Sequence, residues 1–153
     1  MKLDDLDRKL LRELQKSGKS SNAELAEAVN LSPSACHRRV AELEKSGIIA
    51  NYVALLDARK IDLRTVVFVE ITLVGQSQET FEKFETAVQN LPGLLECHLM
   101  AGSADYQLKI VAKDAEDFAY MHRHYLSRLP GVANMQSSFA LKTVFRTTAF
   151  PLE

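Results

Sequence analysis

Two short stretches of this chain gather side chains that can do chemistry. "LSPSACHRRVAELEKSGII" carries Ser34, His37, Arg38, Arg39 and Lys45, and "GSADY" carries Gly102, Ser103, Ala104, Asp105 and Tyr106. The first set offers hydrogen-bond donors and positive charge, the complement of base edges and phosphates. Its alternative is two adjacent arginines that simply solvate a surface helix. The second set suits a zwitterion: Gly102 admits close backbone approach, Ser103 offers a hydroxyl, and Asp105 brings a carboxylate to a loop mouth. Backbone N–H groups would hold the ligand's carboxylate and Asp105 its ammonium. The alternative there is a plain hairpin, because Gly and Asp are favoured by turn geometry.

Other constellations are poor. Cys97 and His98 are neighbours on a β-prone run, so their side chains point to opposite faces and cannot form a nucleophile–base pair. His122 and His124 lie about 200° apart around a helix axis and cannot chelate one metal. Neither a phosphate-binding loop nor G-x-G-x-x-G occurs in the sequence. The two cysteines, Cys36 and Cys97, lack metal spacing and read as reduced, packed thiols. The expectation is a non-enzyme with no metal and no cofactor.

The elements that must position the first set are helical. Leu3, Leu6, Leu10 and Leu14 recur at spacings of three and four, with Asp4, Asp5 and Asp7 in the first turn and Gly18 beyond the end. Asn22 can cap a second, short helix with Leu25, Ala26 and Val29 on one face. Asn30 suits a left-handed turn, Ser32 can cap a third helix, and Pro33 fits that helix's first position. On it Cys36, Val40 and Leu43 point inward, while Ser34, His37, Arg38, Ala41 and Lys45 face outward. "IIANYVALLD" then reads as a β-prone wing, which makes residues 1–56 a winged helix-turn-helix and the third helix its DNA-reading helix.

Residues 57–64, "DARKIDLR", read as a linker. "TVVFVEITLV" alternates, with Val67, Val69, Ile71 and Leu73 on one face and Phe68, Glu70 and Thr72 on the other. Helical spacing returns through Phe81, Phe84, Val88 and Leu91. Two β-prone runs flank the "GS" turn, Asp114 opens a helix with Phe118, Met121 and Tyr125 inward, and "VANMQSSFALKTVF" is a final strand. Strand, helix, strand, strand, helix, strand over 65–153 is the ferredoxin-like order, so the fold class is α+β. One sheet face stays uncovered, and Phe68, Met100 and Val111 on it make a dimer interface the expectation.

Composition fits a soluble globular protein of 153 residues, 46% apolar and 25% charged. Net charge is −1, so DNA contact must come from a local patch. The N-terminal stretch lacks an export signal and no run approaches 18 apolar residues, which points to the cytoplasm rather than a membrane.

"LDRKLLRELQ", "LSPSACHRRVAELEKSGII", "YVALL", "FVEITL", "ECHLMAGSADYQLKI", "LPGV" and "SSFALKTV", in this order along the chain, resemble the Lrp/AsnC (feast/famine) family of transcription regulators. The resemblance implies a winged helix-turn-helix joined to a ferredoxin-like RAM domain, homodimers that assemble into tetramers or octamers, and double-stranded DNA and a small amino-acid effector as partners. It implies DNA contact from the helix Pro33 to Lys45, and an effector loop at Gly102, Ser103, Ala104, Asp105 and Tyr106. Ala104 stands where an aromatic is frequent and Ser103 where an acid is, which reshapes the pocket around the ligand side chain. Phe139 and Ala140 match a stretch that influences effector response. An effector-free architectural protein that wraps DNA is the alternative function.

Overall fold

The computed structural model describes residues 2–153. The chain forms two compact units, one running to Leu55 and joined by Phe145–Glu153, the other Leu56–Val144. The first holds helices α1 (Asp5–Lys16), α2 (Asn22–Ala28) and α3 (Pro33–Lys45). Asp4 and Asp7 form a capping box at the start of α1, each carboxylate accepting the other's backbone N–H. Ser21, not Asn22, caps α2. Asn22 is the first helical residue, and its amide reaches across to donate to the Pro33 carbonyl at 2.8 Å. Asn30 takes the left-handed conformation, φ 56°, that the turn requires. Ser32 caps α3 and Pro33 fills its first position. Leu10, Leu25, Ala26, Val29 and Cys36 make one small core, with Val40 packed against it.

The wing does not form as a hairpin. After Gly47, whose φ of 76° ends α3, residues 51–57 are irregular and carry no strand pairing. Val53, Leu55 and Leu56 are largely exposed. β-branched and aromatic content alone does not make a strand where no turn returns a partner strand within reach.

The second unit is one antiparallel sheet of β1 (Thr65–Leu73), β2 (Leu94–Leu99), β3 (Tyr106–Ala112) and β4 (Val132–Phe139), ordered β2-β3-β1-β4. Helices α4 (Gln78–Val88) and α5 (Ala115–His124) supply Phe84, Val88, Phe118 and Met121 to a core shared with Val67, Val69, Ile71, Leu108 and Ile110. Tyr125, expected inward, is 41% exposed. The chain tightens into a 3-10 turn at Leu126–Arg128, so Leu126 takes the buried place instead.

β4 stops at Phe139, earlier than the periodicity suggests. Beyond it Ala140 still donates to the Val66 carbonyl at 2.9 Å, and the tail then leaves the sheet. The terminal residues belong with the helical unit rather than with 65–153. The Gln15 amide accepts the Phe150 N–H at 2.6 Å and donates to the Phe150 carbonyl at 3.2 Å, and Arg12 donates to the Leu152 carbonyl at 2.6 Å. Among the described residues no helix is long and apolar enough to cross a membrane.

Candidate nucleic-acid interface and effector loop

At about 100° per residue, Ser34, Arg38, Ala41 and Lys45 lie within about 60° of one another around the α3 axis, with His37 beside them. Cys36, Val40 and Leu43 occupy the opposite side, and Cys36 and Leu43 are fully buried. Ser34, His37, Arg38 and Lys45 are all exposed. Arg38 makes a 3.3 Å contact with Glu42 one turn on, between side chains more than half exposed. Such a pair is weak, so the guanidinium is free to exchange Glu42 for a phosphate or a base.

Arg39 does not belong to this display. Its position on the helix places it about 60° from the buried stripe. Its guanidinium donates to Asp7 at 2.7 Å and Asp4 at 2.8 Å, and its side chain is 22% exposed. The Asp7 side chain is only 5% exposed, and a carboxylate so placed needs a charged partner. Arg39 therefore ties α3 to the start of α1 instead of extending outward. The hydrogen bond from the Asp7 N–H, followed by the Arg39 guanidinium, holds the Asp4 carboxyl below its usual value.

The second site is the loop between β2 and β3. Met100 donates to the Asp105 carbonyl at 2.8 Å and closes residues 101–104 into a projecting turn. Among the described residues the N–H groups of Ala101, Gly102, Ser103 and Ala104 donate to no protein acceptor. A Cβ placed on Gly102 would meet nothing within 4 Å, so the chain's own packing does not demand glycine there.

Asp105 differs from its expected place at the loop mouth. It is 8% exposed, and both carboxylate oxygens are engaged: Leu73 N–H donates to Oδ2 at 2.7 Å, and Gln76 Nε2 to Oδ1 at 2.9 Å. Its own N–H donates to the Ile71 carbonyl at 2.9 Å. Asp105 thus fastens the loop to the end of β1. Tyr106 is a core residue, 1% exposed, edge-on to Phe81 and 4.6 Å from Phe84 between ring centroids, with its hydroxyl donating to Glu85 at 2.6 Å. Burial and the Glu85 carboxylate push the Tyr106 phenol far above its usual pKa. Phe139 packs edge-on to Phe118 at 5.3 Å, on the helix side of the sheet.

A cavity of about 110 Å³ opens against the loop, lined by Glu70, Met100, Gly102, Ser103, Ala104 and Gln107. Glu70 and Gln107 were absent from the candidates read in the sequence. The β1–β3 register sets them directly opposite each other, and Gln136 of β4 faces Glu70 from the other side. Alternation along β1 did put Glu70 on the uncovered face, but only the strand pairing brings it beside the loop. That face is mixed: Phe68 and Met100 are exposed as expected, whereas Val111 is 8% exposed. Lys109 and His98 both contact Glu96 across it.

The remaining reactive groups are dispersed. Burial raises the Cys36 and Cys97 thiols, the opposite of what a thiolate nucleophile needs. His124 stacks on Tyr120 at 4.2 Å, and His122 lies against Phe118.

Comparison with known proteins accounts for both units. Residues 3–50 match a winged helix-turn-helix DNA-binding family, and residues 66–150 match the Lrp/AsnC ligand binding domain. The chain is 44% identical over 142 residues to the leucine-responsive regulatory protein of Escherichia coli, covering 93% of this chain and 87% of the relative. A transcriptional regulator of Neisseria meningitidis, solved in complex with L-Met, superposes with a TM-score of 0.93 at 36% identity, over 99% of this chain and 97% of that one. An AsnC family transcriptional regulator of Agrobacterium tumefaciens does so at 0.94 and 34%, over 98% and 97%. The match spans more than half the chain in the ligand-binding domain and continues through the DNA-binding one, so the protein belongs to the Lrp/AsnC family and is a ligand-responsive DNA-binding transcription regulator.

Proposed function

We propose that the protein is a homodimer, able to assemble further into tetramers or octamers, that binds double-stranded DNA through Ser34, His37, Arg38 and Lys45 and changes its DNA affinity or assembly when a small amino acid binds at the 102–106 loop. It acts in the cytoplasm, without a metal or cofactor. The observation that carries this reading is the exposed polar stripe on α3, capped by Ser32 and presented beyond a tight turn, in the same chain as a loop with four free N–H groups beside a cavity. A DNA-reading helix contacts base edges through its N-terminal turns, where Ser34, His37 and Arg38 stand.

The effector class is a small apolar amino acid. Met100 gives the cavity an apolar wall, a leucine-responsive protein stands among the relatives, and a structural neighbour was solved with L-Met. Self-association is supported by the apolar side chains one copy leaves exposed, among them Phe68, Leu99, Leu141 and Val144.

The test begins with DNA selected from a random pool. The selected site is expected to outcompete unrelated DNA by on the order of a thousandfold, with affinity falling steeply with salt. L-Leucine or L-methionine at millimolar concentration should shift that affinity or the oligomer size. A preference below about tenfold with no response to any amino acid would instead support the effector-free architectural reading.

A further inference from the structure

We propose that Glu70, rather than Asp105, is the carboxylate that receives the effector's ammonium group. This assignment rests on the effector reading above and specifies its chemistry. A zwitterion needs donors for its carboxylate and a free anion for its ammonium, placed on one cavity. The donors are the N–H groups of residues 101–104. Asp105 cannot supply the anion without loss: its oxygens already accept from Leu73 N–H and Gln76 Nε2, and it lies buried behind the loop. Drawing it toward a ligand would strand the Leu73 N–H and unfasten the loop from β1, and a buried donor left unpaired is costly.

Glu70 meets the requirement. Its side chain lines the cavity with Gly102, Ser103 and Gln107. Among the described residues it takes part in no ion pair and no side-chain hydrogen bond. Its neighbours across both strand pairings are the neutral amides Gln107 and Gln136, so no fixed cation competes for it. Lys109, the nearest cation on β3, is engaged by Glu96. Met100, at the far end of the loop, leaves an apolar wall for the ligand side chain.

The test compares L-leucine and L-methionine with their N-acetyl forms by calorimetry on the full-length protein, wild type and Glu70→Gln. Wild type is expected to prefer the free amino acid over the N-acetyl form by tenfold or more, the scale of a charge-assisted hydrogen bond. Glu70→Gln is expected to weaken the free amino acid by a similar factor and erase the preference. Glu70→Asp, which keeps the charge but shortens the reach, should recover part of it. Unchanged affinity in Glu70→Gln, or equal binding of the N-acetyl forms by wild type, overturns the assignment while leaving the effector loop intact. If none of the twenty amino acids binds the wild-type protein, the effector reading itself falls and the assignment falls with it.

Discussion

The Arg39 guanidinium lies 2.7 Å from the Asp7 carboxylate, joining α3 to the first turn of α1 across a side chain that is 5% exposed. Its sequence neighbour Arg38 is 68% exposed, and among the described residues its one ion pair is the 3.3 Å contact with Glu42. Two adjacent arginines therefore have separate tasks.

Arg38→Ala is expected to weaken DNA binding while shifting stability by no more than about 0.5 kcal/mol, as an exposed substitution should. Arg39→Ala leaves Asp7 buried without its cation and is expected to destabilise the helical unit by about 2–3 kcal/mol. Urea unfolding of both variants, beside DNA titration, separates the two; equal stability loss in both would refute the division of tasks.

Asp4 extends this to acid. Its folded-state carboxyl sits below the ordinary value of 3.8, so the stability it contributes is complete above that pH and is lost as pH falls through the lowered value. Acid titration of wild type and Asp4→Asn, followed by circular dichroism, should show the wild-type advantage above pH 4 disappear in strong acid. A constant difference at every pH would contradict it.

Asp105→Ala is expected to cost about 2 kcal/mol, because the Leu73 N–H loses its acceptor inside the protein. Any loss of effector response in that variant then comes with loosened β1 and loop. Asp105→Asn keeps one carbonyl acceptor and should recover part of the stability. Wild-type stability in Asp105→Ala would mean that the carboxylate does not fasten the loop.

Tyr52, which packs on Gly18 and donates to Glu44 at 2.9 Å, has its phenol pushed up to about 12, chiefly by burial and then by Glu44. The raised value favours the neutral form in the fold, so the associated stability is present below pH 10 and lost as pH rises toward 12. Absorbance at an ionised-tyrosine wavelength should show two of the four phenols, Tyr52 and Tyr106, titrating late, and Tyr52→Phe should remove the earlier of those two steps.

Glycines make the last pair. Gly93 has φ 73°, and a Cβ there would run into the Val111 carbonyl oxygen, so Gly93→Ala is expected to cost more than about 1 kcal/mol. Gly102→Ala meets open space and should leave the melting temperature unchanged. A normal fold with altered effector response in Gly102→Ala would assign that glycine to the ligand.

Local signals were legible in the sequence wherever one stretch of chain settles its own geometry. Ser32 before Pro33, Asn30 at a left-handed turn, the alternation of Val67 to Leu73 and the inward set Cys36, Val40 and Leu43 all depend on backbone sterics, caps and periodicity, which act within a few residues. The two-domain order followed from the change of periodicity along the chain, helical before residue 50 and strand–helix alternating after 65, and the resemblance in seven blocks agreed with it. Three things depended on partners distant in sequence. Arg39 turned inward because Asp7 lies 32 positions away, Asp105 is satisfied by Leu73 and Gln76, and Glu70 reaches the loop only through the β1–β3 register. A side chain's type and spacing define what it can bind. Whether it is free to bind is decided by which long-range partner the fold has already supplied, since a buried charge or N–H cannot go unpaired.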